Sequence, residues 1–165
     1  MNVLVTVASK HGATTQIAEA IGRALAKADI PAEIVPPDEV RSLRGYDAVI
    51  LGSAVYAGRW LDDAKRLVER EGPALAARPV WLFSSGPIGD PPKPDEEAVD
   101  VAPIRALTGA RDHRVFGGLL DKSKLGFGER AIVKVVRADE GDYRPWPEIE
   151  AWVAGIAAAL KAPVA

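Results

Sequence analysis

The chain reads as a doubly wound α/β fold, with five parallel strands in the order 2-1-3-4-5 and helices on both faces. Three observations predict it. Short runs of β-formers alternate with stretches of helical periodicity along the whole sequence. The first run, Val-Leu-Val-Thr-Val from Val3, stops at a small polar turn containing Gly12, after which Ile17, Ala18, Ile21 and Leu25 recur at helical spacing. Clusters of Gly, Ser and Pro follow the third and fourth runs. Alternation of this kind implies a parallel sheet covered on both sides, with right-handed crossovers.

The elements follow in order. Strand one is expected at Asn2 to Val7 and a helix at Ala13 to Ala28. Ala32 to Val35 is a short second strand, ended by Pro36 and Pro37. Asp47 to Leu51 is the third, broken by Gly52 and Ser53. A helix over Arg59 to Glu71 places Trp60, Ala64, Leu67 and Val68 on one face. Pro79 to Ser84 is the fourth strand, and Ser85 to Pro92 a loop. A short helix is expected near Pro103 to Thr108, since proline suits a first turn. Arg114 to Gly117 reads as strand five and residues 118–128 as an ordered loop. Glu129 to Arg137 reads as a short helix, with a strand as the alternative. Pro147 opens a last helix whose buried stripe is Ile149, Trp152, Val153, Ile156 and Leu160.

Composition narrows the function. The 165 residues suit a single domain spanning 1–165, and 48% hydrophobic content supports a sizeable core. A net charge of −2 gives no global basic field for nucleic acid. No stretch approaches the roughly 20 apolar residues that cross a bilayer, and the N-terminus lacks a signal-peptide layout, so a cytoplasmic location is expected. There is no cysteine, which removes thiolate, zinc-thiolate and iron–sulfur chemistry. With only His11 and His113, no metal site is expected. Redox chemistry would need an organic cofactor.

On a sheet of this order, ligands bind at the carboxyl edge between strands one and three. Three loops meet there: Ser9 to Thr14, Ser53 to Trp60 and Ser84 to Pro91. A strand-to-helix turn aims backbone N–H groups and a helix dipole at one point, which suits a phosphate. Ser9, Thr14 and Thr15 add hydroxyls. No Gly-Lys-Ser/Thr follows Gly12 and no Gly-x-Gly-x-x-Gly occupies the first turn, so neither a P-loop kinase nor a dinucleotide site is expected. Ala8, Ser9, Gly52 and Ser53 stand where a phosphoacceptor receiver needs acids.

These loops carry a resemblance. Ser9-Lys10-His11-Gly12-Ala13-Thr14 is similar to the phosphate loop of flavodoxin-like FMN-binding proteins, Leu51-Gly52-Ser53-Ala54-Val55-Tyr56-Ala57-Gly58 to their second loop, and Ser84-Ser85-Gly86-Pro87-Ile88-Gly89 to their third. Val115-Phe116-Gly117-Gly118 and the tail from Gly141 to Trp152 resemble the branch that includes menaquinone-dependent protoporphyrinogen oxidase. The chain departs from the family where His11 replaces a usual Thr and Ala13 a frequent Asn. The resemblance implies FMN as cofactor, with Ser9, Lys10, His11, Gly12, Ala13, Thr14, Ala54, Val55, Tyr56, Ala57, Gly58, Ser85, Gly86, Pro87, Ile88 and Gly89 as its contacts and Tyr56 or Trp60 as a wall for the ring.

The implied function is an FMN-dependent oxidoreductase that passes electrons from an organic donor to a small-molecule, quinone-like or protein acceptor. No catalytic acid or base is assigned. The alternatives are a soluble electron shuttle without a substrate of its own, and a flavodoxin-like module that has lost its flavin. His11 reads either as a phosphate contact or as a solvated side chain, and His113 as structural. Asp90, Asp95, Glu96, Glu97 and Asp100 read as a solvated acidic face, with partner docking as the alternative. Residues 118–137 mix Lys122, Lys124, Arg130, Lys134 and Arg137 with Leu119, Leu120, Leu125 and Phe127. That mix is either packed and solvated structure or a surface that touches a membrane peripherally or receives a quinone.

Overall fold

In the computed structural model, which describes residues 1–86, 98–120 and 141–162, β1 (Val3–Ala8) lies second from one edge of the main sheet. It pairs in parallel with β2 (Ala32–Ile34) on one side and β3 (Ala48–Tyr56) on the other. β5 (Val80–Ser85) and β6 (Asp112–Phe116) continue the parallel order, giving β2-β1-β3-β5-β6. These are the five main strands in the expected order 2-1-3-4-5.

Among the described residues, two helices cover each face. α1 (Ala13–Lys27) and α4 (Trp146–Lys161) bury Ile17, Ile21, Leu25, Ile149, Trp152 and Val153 against Val3, Val5 and Val7. α2 (Asp62–Ala76) and α3 (Val101–Thr108) bury Leu67, Val68, Val101 and Ile104 against Leu4, Val49 and Leu51. Alternate residues of β1 thus feed opposite cores, as the pleat of a strand requires. The first core is closed by an aromatic cluster in which Trp152 stands edge-on to both Phe83 and Phe116. Leu160 lies at the rim of α4's stripe, partly buried.

The structure corrects several expected boundaries. β3 does not break at Gly52-Ser53 but runs on to Tyr56. Gly52 is there because Phe83 of the neighbouring strand lies over it: an added Cβ would sit 2.4 Å from the ring. Arg59 and Trp60 do not open a helix. They form β4 (Arg59–Trp60), paired antiparallel with Val55 and Tyr56 across a two-residue turn. Ala57 and Gly58 both have positive φ, 51° and 76°, the combination that matches hairpin twist. α2 continues past Glu71 to Ala76, bending at non-helical Glu71. Pro73, which lacks an N–H, restarts the helix after that bend.

Beyond β6 a second, two-stranded ribbon pairs β7 (Leu119–Leu120) with β8 (Gly141–Asp142). So part of the expected loop at 118–128 is a strand, and β6 itself begins two residues earlier than expected, at Asp112. The expected element at Glu129 to Arg137 lies outside the described residues. No helix among the described residues is long and apolar enough to cross a membrane.

Candidate functional site

The register of the sheet brings the three sequence-predicted loops to one edge. Ala8 at the end of β1 is opposite Ser53 of β3, and Ala54 is opposite Ser85 of β5. β1 and β5 end near this level while β3 runs on to Tyr56, and the loops open on the carboxyl side of the switch between β1 and β3.

The first loop is compact. The Gly12 N–H donates to Ser9 Oγ at 3.1 Å, and Gly12 takes the left-handed conformation that turns the chain into α1. Ala13 opens the helix and Thr14 is buried in its first turn. No side chain caps this helix and no acidic residue stands in its first turn. The N–H groups of Ala13, Thr14 and Thr15 have no acceptor within the helix, so its positive end is left for an external anion. The backbone N–H groups and hydroxyls of this turn offer the chemistry suited to an FMN phosphate. The residues therefore fit the group that the resemblance implies.

The second loop is the β3–β4 hairpin, which holds Ala54, Val55 and Tyr56 in β3 and Ala57 and Gly58 in the turn. Lys10 reaches across from the first loop and places Nζ 4.1 Å from the centroid of the half-buried Tyr56 ring. Tyr56 thus stands beside the first loop, where a wall for a flat ring is expected. Trp60 does not share that role. It is 2% exposed, packed in the core under the hairpin. Its side chain alternates away from the edge, leaving Tyr56 as the aromatic of this loop.

The third loop begins with buried Ser85 and with Gly86, whose N–H donates to the Phe116 carbonyl at 3.2 Å. A Cβ on Gly86 would come within 3.2 Å of the Val55 carbonyl, so glycine lets this loop start flush against the hairpin. Pro87, Ile88 and Gly89 lie outside the described residues.

Several site residues were not legible in the sequence. Asp100, expected on a solvated acidic face, is largely shielded. Its carboxylate accepts from the Trp60 N–H at 2.9 Å and faces Arg59 and Lys65 at 3.9 and 3.8 Å. Next to it, the Val99 N–H donates to the Gly58 carbonyl, so the chain entering α3 grips the hairpin tip. Ser53 Oγ accepts from the Leu61 N–H and donates to the Ala54 carbonyl, fixing the hairpin from its base. Asp90, Asp95, Glu96 and Glu97 lie outside the described residues.

Arg144 is the second such residue. Its guanidinium grips Asp142 with two bonds of 2.8 Å and reaches the Gln16 side chain at 2.5 Å and the Ala13 carbonyl at 3.3 Å. It also lies over the Trp146 ring, 4.6 Å from the centroid. The Arg144 bond lowers the Asp142 carboxyl below the ordinary carboxylate value, against the smaller opposing effect of burial. Only an Arg-x-Trp and an Asp-x-Arg spacing hint at this cluster, and neither says that its target is 131 residues away. Among the described residues no group of three or more His, Cys, Asp or Glu is placed to hold a metal ion.

The fold is shared with solved flavodoxins. A flavodoxin from the domain Archaea superposes with a TM-score of 0.65 at 17% identity, over 98% of this chain and 100% of that one. A point mutant of the Pseudomonas aeruginosa flavodoxin gives 0.64 at 19% identity, again over 98% and 100%. Rubredoxin oxygen:oxidoreductase from Desulfovibrio gigas gives 0.66 at 13% identity, over 97% of this chain but 36% of that larger one. No curated protein sequence compared with it matches. Residues 4–145 match the family model of the flavodoxin domain, so the chain belongs to that family of FMN-carrying, electron-transferring domains.

Proposed function

We propose that the protein binds FMN through Ser9–Thr14, Ala54–Gly58 and the loop from Ser85 to Gly89, and acts as an oxidoreductase between an organic donor and a quinone-like or protein acceptor. The observation that carries the reading is the uncapped N-terminus of α1, free of acidic neighbours, set beside Tyr56 at the sheet's switch point. FMN, when bound, supplies the electron-carrying ring. The chain's part is to hold the phosphate on the N–H groups of the first turn, to orient the ring against Tyr56, and to keep the hairpin rigid through Asp100 and Ser53. The whole of residues 1–165 acts as one domain in this reading, within the cytoplasm. The likeness of the tail to the porphyrinogen-oxidising branch makes a porphyrinogen one of the donors to assay.

A shuttle without its own substrate is the second reading. The loops Ser9–Thr14 and Ala54–Gly58 contain no carboxylate, so these parts of the site offer no carboxylate acid or base for substrate chemistry. One experiment separates the readings. The purified protein is expected to be yellow and to release FMN on heating. Turnover of a small donor with menadione supports the oxidoreductase, and turnover only through a partner flavoenzyme or ferredoxin supports the shuttle. Protein that stays colourless after incubation with FMN overturns both.

A further inference from the structure

We propose that Arg144 is a positioning residue for phosphate capture, acting through the peptide that joins Ala13 to Thr14. This rests on the FMN reading above. Arg144 donates to the Ala13 carbonyl, and the N–H on the far side of that same peptide belongs to Thr14. That N–H is one of the first-turn donors with no acceptor inside the helix. A cationic donor on the carbonyl polarises the peptide and strengthens its N–H. It also fixes the plane, and so the direction in which the N–H points.

The surroundings show that Arg144 works by geometry rather than as a counter-charge. Its charge is matched by Asp142 at 2.8 Å, so little net field reaches the loop. Its fork is held on three sides, by Asp142, by Gln16 and by the face of Trp146, and its side chain is 8% exposed. The Arg144 backbone N–H donates to the same carboxylate at 3.0 Å, which locks the turn that presents the guanidinium. Such a bracket has a purpose in this loop. Gly12 provides no side-chain cap and Ala13 no side-chain donor, so phosphate binding falls more heavily on the aim of the backbone N–H groups.

Riboflavin lacks the phosphate and provides the discriminating measurement. The flavin-free protein is titrated with FMN and with riboflavin, following flavin fluorescence. Arg144→Ala is expected to weaken FMN binding by about tenfold, the effect of one charge-assisted hydrogen bond, while riboflavin affinity stays within about twofold. Arg144→Lys, which keeps the charge but not the fork, is expected to resemble Arg144→Ala. Gln16→Ala removes one anchor at an exposed contact and is expected to lower the FMN-to-riboflavin affinity ratio in the same direction; it carries the test if Arg144→Ala does not fold. Equal losses for both flavins, no loss for FMN, or full recovery with Arg144→Lys overturns the assignment. A wild-type protein that binds riboflavin but gains nothing from the phosphate also overturns it, whereas one that binds neither flavin removes the FMN reading itself.

Discussion

The indole N–H of Trp60 donates to the hydroxyl of Ser84 at 2.8 Å, and that same hydroxyl lies 2.8 Å from His113 Nε2. The bond joins β4 to β5 through the interior, and His113 extends it to β6. Ser84→Ala therefore leaves a buried indole N–H without its acceptor. The expected cost is about 1–3 kcal/mol in urea unfolding. In the double variant with Trp60→Phe, the total loss should be smaller than the sum of the two single losses, because the orphaned donor is gone.

Gly52→Ala drives a methyl group into the Phe83 ring. The ring is fully buried between its neighbours and cannot swing clear. The variant is expected to lose about 1–3 kcal/mol as an overpacked core. Adding Phe83→Leu should recover part of that loss, which chemical denaturation of the three variants would show.

Ala57 holds a φ of 51° at the first turn position of the hairpin, a conformation that disfavours residues with a Cβ. Ala57→Asn creates the Asn-Gly turn best suited to this geometry. A gain of about 0.5–1 kcal/mol is expected, a rise in Tm of about 1–4 °C for a chain of this size. Thermal unfolding of the flavin-free variant and wild type checks this.

Asp142 links stability to pH. Its folded carboxyl titrates below the ordinary value, chiefly because Arg144 donates to it. The folded state thus binds the proton less readily than the unfolded chain. The stabilisation is fully present above the ordinary carboxylate value and is lost as pH falls through the lower, folded value. Asp112 behaves in the same sense: burial alone would raise it, but hydrogen bonds from Arg114, Trp152 and the His113 N–H together outweigh burial. The urea midpoint of the wild type should therefore fall more steeply below about pH 4 than that of Asp142→Asn. Parallel pH profiles would rule out the contribution of this pair.

The sheet, its order and its helical faces were legible in the sequence because burial imposes periodicity. Ile17, Ala18, Ile21 and Leu25 line α1 as their spacing requires. What escaped was any element whose cause lies on another strand. Gly52 looks like a turn until Phe83 is placed beside it, and only then does β3 extend to Tyr56. Trp60 fits a helical stripe equally well, and its place in a hairpin depends on two positive φ angles that Ala-Gly announces weakly. The bracing contacts of Asp100 and Arg144 carry no local pattern, since the partners they reach, Trp60 and Ala13, lie 40 and 131 residues away. At the candidate site, the sheet edge where the loops begin could be named in advance, while the side chains that brace those loops could not.

Both borders of the segment 87–97 are moored to the same hairpin, Gly86 against Val55 and Val99 to Gly58. The hairpin thus ties together two parts of the chain that are not neighbours in sequence, and a change at its tip would be felt at the start of α3 as well as at the end of β5.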